Sequence, residues 1–160
     1  MLLFRLFIIA LVSLVAGCGF QIQGALTTPV EMERTYIATD DRHSLFYREL
    51  RMQLQAAGVE LVDTAADSTA TISILYDETD QRVLSVSARN VPTEYEVYYS
   101  IEYAIDGSTA RLVDPQTLTV TRDYTYDSRL VLGKAREEEL LREAVVEDLV
   151  RIVLKRISTL

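Results

Sequence analysis

From residue 94 to residue 105 the chain alternates without a break. Tyr95, Val97, Tyr99, Ile101, Tyr103 and Ile105 fall at every second position. Successive side chains of a strand point to opposite faces, so this spacing commits the segment to a β-strand with one buried face. Asp106-Gly107 follows directly, a dipeptide that tolerates the positive φ of a tight hairpin turn. Residues 109–126 are then the partner strand, interrupted near Asp114-Pro115, where a proline suits an edge or a kink. Upstream, residues 69–87 also read as strand. Ile72, Ile74 and Tyr76 alternate with smaller or polar neighbours, as do Val83 and Ser85 with Leu84 and Val86, and the acidic stretch 77–80 bulges or bends the segment. Arg89-Asn90-Val91-Pro92 forms the turn between the two.

Helices must cover the apolar face of such a framework. Residues 34–39 are β-prone, with Tyr36 and Ala38 on one face and Ile37 on the other, and Asp40-Asp41-Arg42 ends them. Ser44 can cap a helix over residues 44–57, whose stripe is Phe46, Leu50, Leu54 and Ala57 and whose closing glycine is Gly58. Residues 59–62 are a short extended piece, 63–68 a turn and 127–134 a loop. A second helix is expected over residues 135–158, with Glu137, Glu138 and Glu139 in its first turn and Lys155 and Arg156 in its last, both favourable to the helix dipole. Its apolar arc is broad: Leu141, Val145, Leu149 and Ile152 lie beside Val146, Val150, Val153 and Ile157. The order is β-α-β-β-β-α, so the fold class is α+β: two helices packed on one face of a mostly antiparallel four-stranded sheet. The other sheet face is then open unless a partner covers it, and Tyr and Val on both faces around residues 95–99 argue for a bound surface.

The amino end has a different logic. Arg5 precedes an apolar run over residues 6–15, and Val15-Ala16-Gly17-Cys18 closes it. This is the layout of a secretory signal peptide, and the run is shorter than the roughly 20 residues that span a bilayer. Small residues followed by Cys resemble the lipobox of bacterial lipoproteins. The expected organisation is therefore a cleaved signal at residues 1–17, a lipidated Cys18 with a tether through residue 33, and a single domain over residues 34–160. The modification implied at Cys18 is S-diacylglycerol with an N-palmitoyl chain. Acyl chains contribute about 0.8 kcal/mol per buried methylene, so three of them hold a protein on a membrane. Gly19, in place of the Asp that retains lipoproteins at the inner membrane of enteric bacteria, points to the outer membrane. Cys18 is the only cysteine. Once it is lipidated no disulfide can form, and the fold stands on packing alone.

Charge and residue inventory narrow the function classes. The net charge is −8, with no block of Lys or Arg, which argues against nucleic acid as a partner. His43 is the only histidine and sits beside a helix start, so neither a zinc site nor a Cys–His or Ser–His pair is in view. Ser85, Ser87 and Ser100 lie in strands with no base nearby in sequence, and Gly-rich phosphate loops and nucleophile elbows are absent. Asp40-Asp41 and the acidic 77–80 stretch lack the spacing of a calcium loop and read as solvated turns. The expectation is a non-enzyme with no catalytic residue, no metal and no cofactor beyond its own lipid.

Several short motifs add a resemblance. Gly19-Phe20-Gln21-Ile22-Gln23-Gly24 follows the lipobox. Leu54 stands before Ala57-Gly58-Val59, Arg89-Asn90 before Glu94-Tyr95, Arg122-Asp123-Tyr124 before Tyr126-Asp127, and Leu132-Gly133-Lys134 before Glu137. Taken in order, they resemble the LPS-assembly lipoprotein LptE family of Gram-negative bacteria over nearly the whole chain. The resemblance implies a lipoprotein of the outer membrane's periplasmic face. It would plug the lumen of the LptD β-barrel and help place lipopolysaccharide at the cell surface. It also implies that two cations meet lipopolysaccharide: Arg89, in the turn before the Glu-Tyr strand, and Lys134, closing the loop before the last helix. Here the chain carries Val91-Pro92 between that turn and that strand, a departure from the enteric pattern. The alternative is a lipid-anchored envelope protein that binds another periplasmic or cell-wall partner.

Overall fold

The computed structural model describes residues 28–127 and 131–160. Strands β1 (Arg34–Ala38), β2 (Glu60–Val62), β3 (Ala70–Val86), β4 (Pro92–Gly107) and β5 (Arg111–Thr125) form one sheet in the order β2-β1-β3-β4-β5. Helices α1 (Leu45–Ala56) and α2 (Val131–Ile157) complete the domain. The class is α+β, as expected, but the sheet has five strands rather than four and is mixed. β1 pairs in parallel with both β2 and β3, and only β3-β4-β5 is antiparallel. The additional strand is the 59–62 piece, whose three paired residues are too few to show an alternation. α1 crosses over between β1 and β2, and a crossover of that length makes its two strands parallel.

α1 is closed at both ends by local chemistry. The Ser44 Oγ accepts a hydrogen bond from the Tyr47 N–H at 3.0 Å, satisfying one of the donors that a helix leaves unpaired. At the other end Gly58 adopts φ +87°, its N–H donates to the Gln55 carbonyl, and the Val59 N–H donates to that of Leu54. Only glycine takes that backbone angle without strain. Phe46, Leu50 and Leu54 are fully buried beneath α1, and Val145, Leu149, Val153 and Ile157 beneath α2. They meet Ile72, Tyr99, Ile101, Tyr103 and Ile105 of the sheet in one core. Met32, in the stretch read as tether, is also fully buried there.

Two bulges decide which side chains reach that core. Ile74 pairs with Tyr103 but Tyr76 with Glu102, so Leu75 is an extra residue that shifts the phase of β3. Tyr76, expected to face inward with Ile72 and Ile74, is 45% exposed, and Asp77 lies opposite Ile101 instead. The Tyr99 hydroxyl donates to Asp77 Oδ1 at 2.5 Å and accepts from the Phe46 N–H at 3.3 Å, which ties β3 to the amino end of α1. β5 is continuous through Asp114-Pro115. Two residues there face one on β4, and the bulge accommodates a proline on an edge strand.

The helix-free face is polar. Glu94, Glu96, Tyr98, Ser100 and Glu102 of β4 point there, in rows with Glu78, Asp80 and Arg82 of β3 and with Thr117, Thr119, Thr121 and Asp123 of β5. Arg82 ion-pairs with Glu96 at 2.5 Å. Tyr95, Val97 and Tyr99 share one parity and all turn toward the helices, so the expected apolar character of both faces at residues 95–99 reduces to Tyr98.

Candidate functional site

β3 and β4 run on past the parallel strands as a long ribbon, and the features singled out from sequence gather at its far end. The turn that closes the ribbon is held by backbone bonds. The Asn90 N–H donates to the Ser87 carbonyl at 2.9 Å and the Ser87 N–H to the Val91 carbonyl at 2.8 Å. Asn90 sits at φ +57°, a left-handed angle that asparagine tolerates better than most residues. Arg89 projects from this turn, exposed, with no carboxylate of the described residues within ion-pair distance.

Lys134 stands in the first turn of α2 rather than in a loop, because the helix begins at Val131. Gly133 lies within that first turn. A helical glycine costs about 1 kcal/mol relative to alanine, and the pairs Lys134–Glu137, Arg136–Glu139 and Glu138–Arg142 offset part of that cost. Lys134 Nζ lies 2.6 Å from Glu137 Oε2 and 6.0 Å from the centre of the Tyr124 ring, with the side chain only 18% exposed. Beneath it, Tyr95 stacks on Tyr124 at 5.8 Å and meets the edge of Tyr126 at 5.3 Å. The Tyr124 hydroxyl donates to Gln81 Oε1 at 3.0 Å. Burial first, then the nearby Glu138 carboxylate, raises the Tyr124 pKa above the ordinary tyrosine value, so the Tyr124 ring stays neutral beneath the ammonium. Sequence reasoning read these tyrosines only as strand residues; the pairing of Tyr95 with Tyr124 across β4 and β5 is what makes them a cluster.

The site therefore offers one solvated guanidinium, one half-buried ammonium and three tyrosine rings toward the end of the sheet remote from β1. Such a set can bind an anion bidentately through the arginine and as a point charge through the lysine. Among the described residues there is no group of three His, Cys, Asp or Glu side chains able to hold a metal, and no helix long and apolar enough to cross a membrane. A cleft between α1 and α2 is lined by Leu45, Arg48, Glu138, Glu139, Arg142 and Glu143, charges of both signs that bring no nucleophile with them. Cys18 lies outside the described residues.

An α+β domain with a polar open face, Arg89 on its projecting ribbon and Lys134 on the helix beside it has the features of a binding module. Comparison with known proteins makes the class specific. A family model described as LptE, lipopolysaccharide-assembly, matches residues 32–157. The chain belongs to that family. It is 24% identical over 147 residues to the LPS-assembly lipoprotein LptE of Yersinia pestis, covering 90% of this chain and 70% of that protein. Among solved structures, lipoprotein B of Nitrosomonas europaea superposes with a TM-score of 0.72 at 27% identity, covering 88% of this chain and 90% of that one. The rare lipoprotein B of Shewanella oneidensis superposes with a TM-score of 0.68 at 25% identity, covering 79% and 94%.

Proposed function

We propose that this chain is a lipid-anchored lipoprotein of the outer membrane that plugs the LptD barrel and binds lipopolysaccharide through Arg89 and Lys134. Membership of the lipopolysaccharide-assembly family supports the cargo. The observation that carries the site is that both cations lie toward the turn end of the β3–β4 ribbon, Lys134 over a tyrosine cluster and Arg89 in the turn beyond it. Lipopolysaccharide presents phosphates on a sugar scaffold, and cations beside aromatic faces suit both parts.

Dimensions support the placement in a barrel. β1 enters at the base of the sheet, where Thr35 pairs with Ala70 at the start of β3. β3 has 17 residues, so the turn bearing Arg89 lies roughly 50 Å from that base at about 3.3 Å per residue. A bilayer with its headgroups is about 40–45 Å thick. A domain anchored by Cys18 in the inner leaflet can thus present its tip at the opposite surface if it stands in a polar lumen. The open sheet face, with Glu, Asp, Ser and Thr in its rows, has the polarity that such a lumen requires.

Charge reversal tests the site. Arg89→Glu with Lys134→Glu should weaken binding of purified lipopolysaccharide at least tenfold while the circular dichroism spectrum stays native. Undiminished binding by the folded double variant would remove both residues from the site.

A further inference from the structure

Anion binding leaves one property of the ribbon tip unexplained. Val83, Leu84, Val86 and Val91 are 47, 48, 53 and 45% exposed, four large apolar side chains within nine residues of an acidic chain. They are spread around the tip because the pleat is broken there: the β3–β4 register shifts between Val83 and Ser85 and again between Ser85 and Val86. Single apolar residues on a surface are ordinary, but a cluster at the end of a projecting element marks a binding surface. Arg89 lies in the same turn with no ion pair among the described residues. Exposed apolar side chains flanking a guanidinium that has no ion pair among the described residues match an anionic amphiphile, with phosphate on the arginine and hydrocarbon on the valines and leucine.

We propose that Val83, Leu84, Val86 and Val91 form a contact for acyl chains, and that the occupant is the acylated, phosphorylated end of lipopolysaccharide. This rests on the reading of Arg89 as a lipopolysaccharide contact and extends it from headgroup to hydrocarbon. A protein partner would cover the apolar side chains equally well but would be expected to bring a carboxylate to Arg89, which a lipid phosphate replaces.

A photo-crosslinking amino acid placed at 84, 86 or 89 of the full chain, in intact cells, tests the proposal, with exposed Gln55 on α1 as control. Ultraviolet-dependent adducts carrying lipopolysaccharide are expected at 84 and 86 and not at 55. Lipopolysaccharide adducts at 89 with none at 84 or 86 would leave the headgroup reading in place and overturn the acyl contact. Lack of a lipid adduct at all three tip positions would overturn both, and adducts to protein alone at 84 and 86 would assign the patch to a protein partner. Binding by the full chain gives a second readout. Leu84→Ser with Val86→Ser should weaken binding of intact lipopolysaccharide about tenfold, the loss expected from about 1.4 kcal/mol of apolar contact. The same variant should bind lipopolysaccharide stripped of its ester-linked chains as the parent does. Equal weakening for both ligands would contradict an acyl contact.

Discussion

Arg89 and Lys134 carry the same charge but hold it differently. The guanidinium of Arg89 is exposed and has no ion pair among the described residues, whereas the Lys134 ammonium is engaged by Glu137 and shielded over Tyr124. A ligand must compete with Glu137 for the lysine. Glu137→Gln should therefore strengthen lipopolysaccharide binding several-fold, since a partly exposed ion pair is worth up to about 1 kcal/mol. Titration calorimetry showing weaker binding by that variant would place the carboxylate itself among the ligand contacts. Away from the tip, Tyr99 governs alkaline stability. Burial first, and then its bond to Asp77, raises its pKa above 10.0. Above that pH the unfolded chain loses a proton that the native state keeps, so the contribution of the neutral phenol is complete below pH about 10 and is lost as pH climbs through the raised value. Tyr99→Phe should lower stability at neutral pH through the lost bond and flatten the alkaline decline. Urea unfolding followed between about pH 8 and pH 11 checks this, and an unchanged slope would contradict it.

At the scale of elements, the caps of α1 carry local stability. Ser44→Ala removes the acceptor for the Tyr47 N–H and should cost about 1 kcal/mol, read as a lowered urea midpoint with an unchanged m-value. A midpoint equal to that of the parent would mean that the α1 packing, not the cap, sets the helix end. These caps were legible in the sequence because Ser44 and Gly58 act through their own backbone geometry. The long hairpin was legible for a related reason: twelve residues of strict alternation allow few alternatives, although Asp106-Gly107 ends β4 as paired strand and the turn falls on residues 108–110. The phase of β3 was not, because the bulge at Leu75 depends on the β4 residues opposite it. β2 was missed as a strand because its identity lies in its pairing with β1 and not in its three residues. The first turn of α2 falls in the expected loop of residues 127–134, because the side-chain pairs that sustain it across Gly133 become visible only on the helix surface. Of the site, Arg89 and Lys134 came from motif order, and the tyrosine cluster came only from strand register.

The whole molecule has two ends with different tasks. Its base holds the five-stranded sheet and α1. Its far end is a ribbon braced by the amino-terminal half of α2, ending in the cations, tyrosines and exposed aliphatics of the tip. On the proposed reading, an anchor at one end and a ligand site at the other suit a part that stays with one leaflet and, within a barrel, serves the opposite surface. The measurement that tests this most directly is the mass and composition of the complex purified with the full chain from detergent-solubilised outer membranes. One large β-barrel protein per chain is the predicted result. A soluble periplasmic partner, or the chain alone, would contradict it.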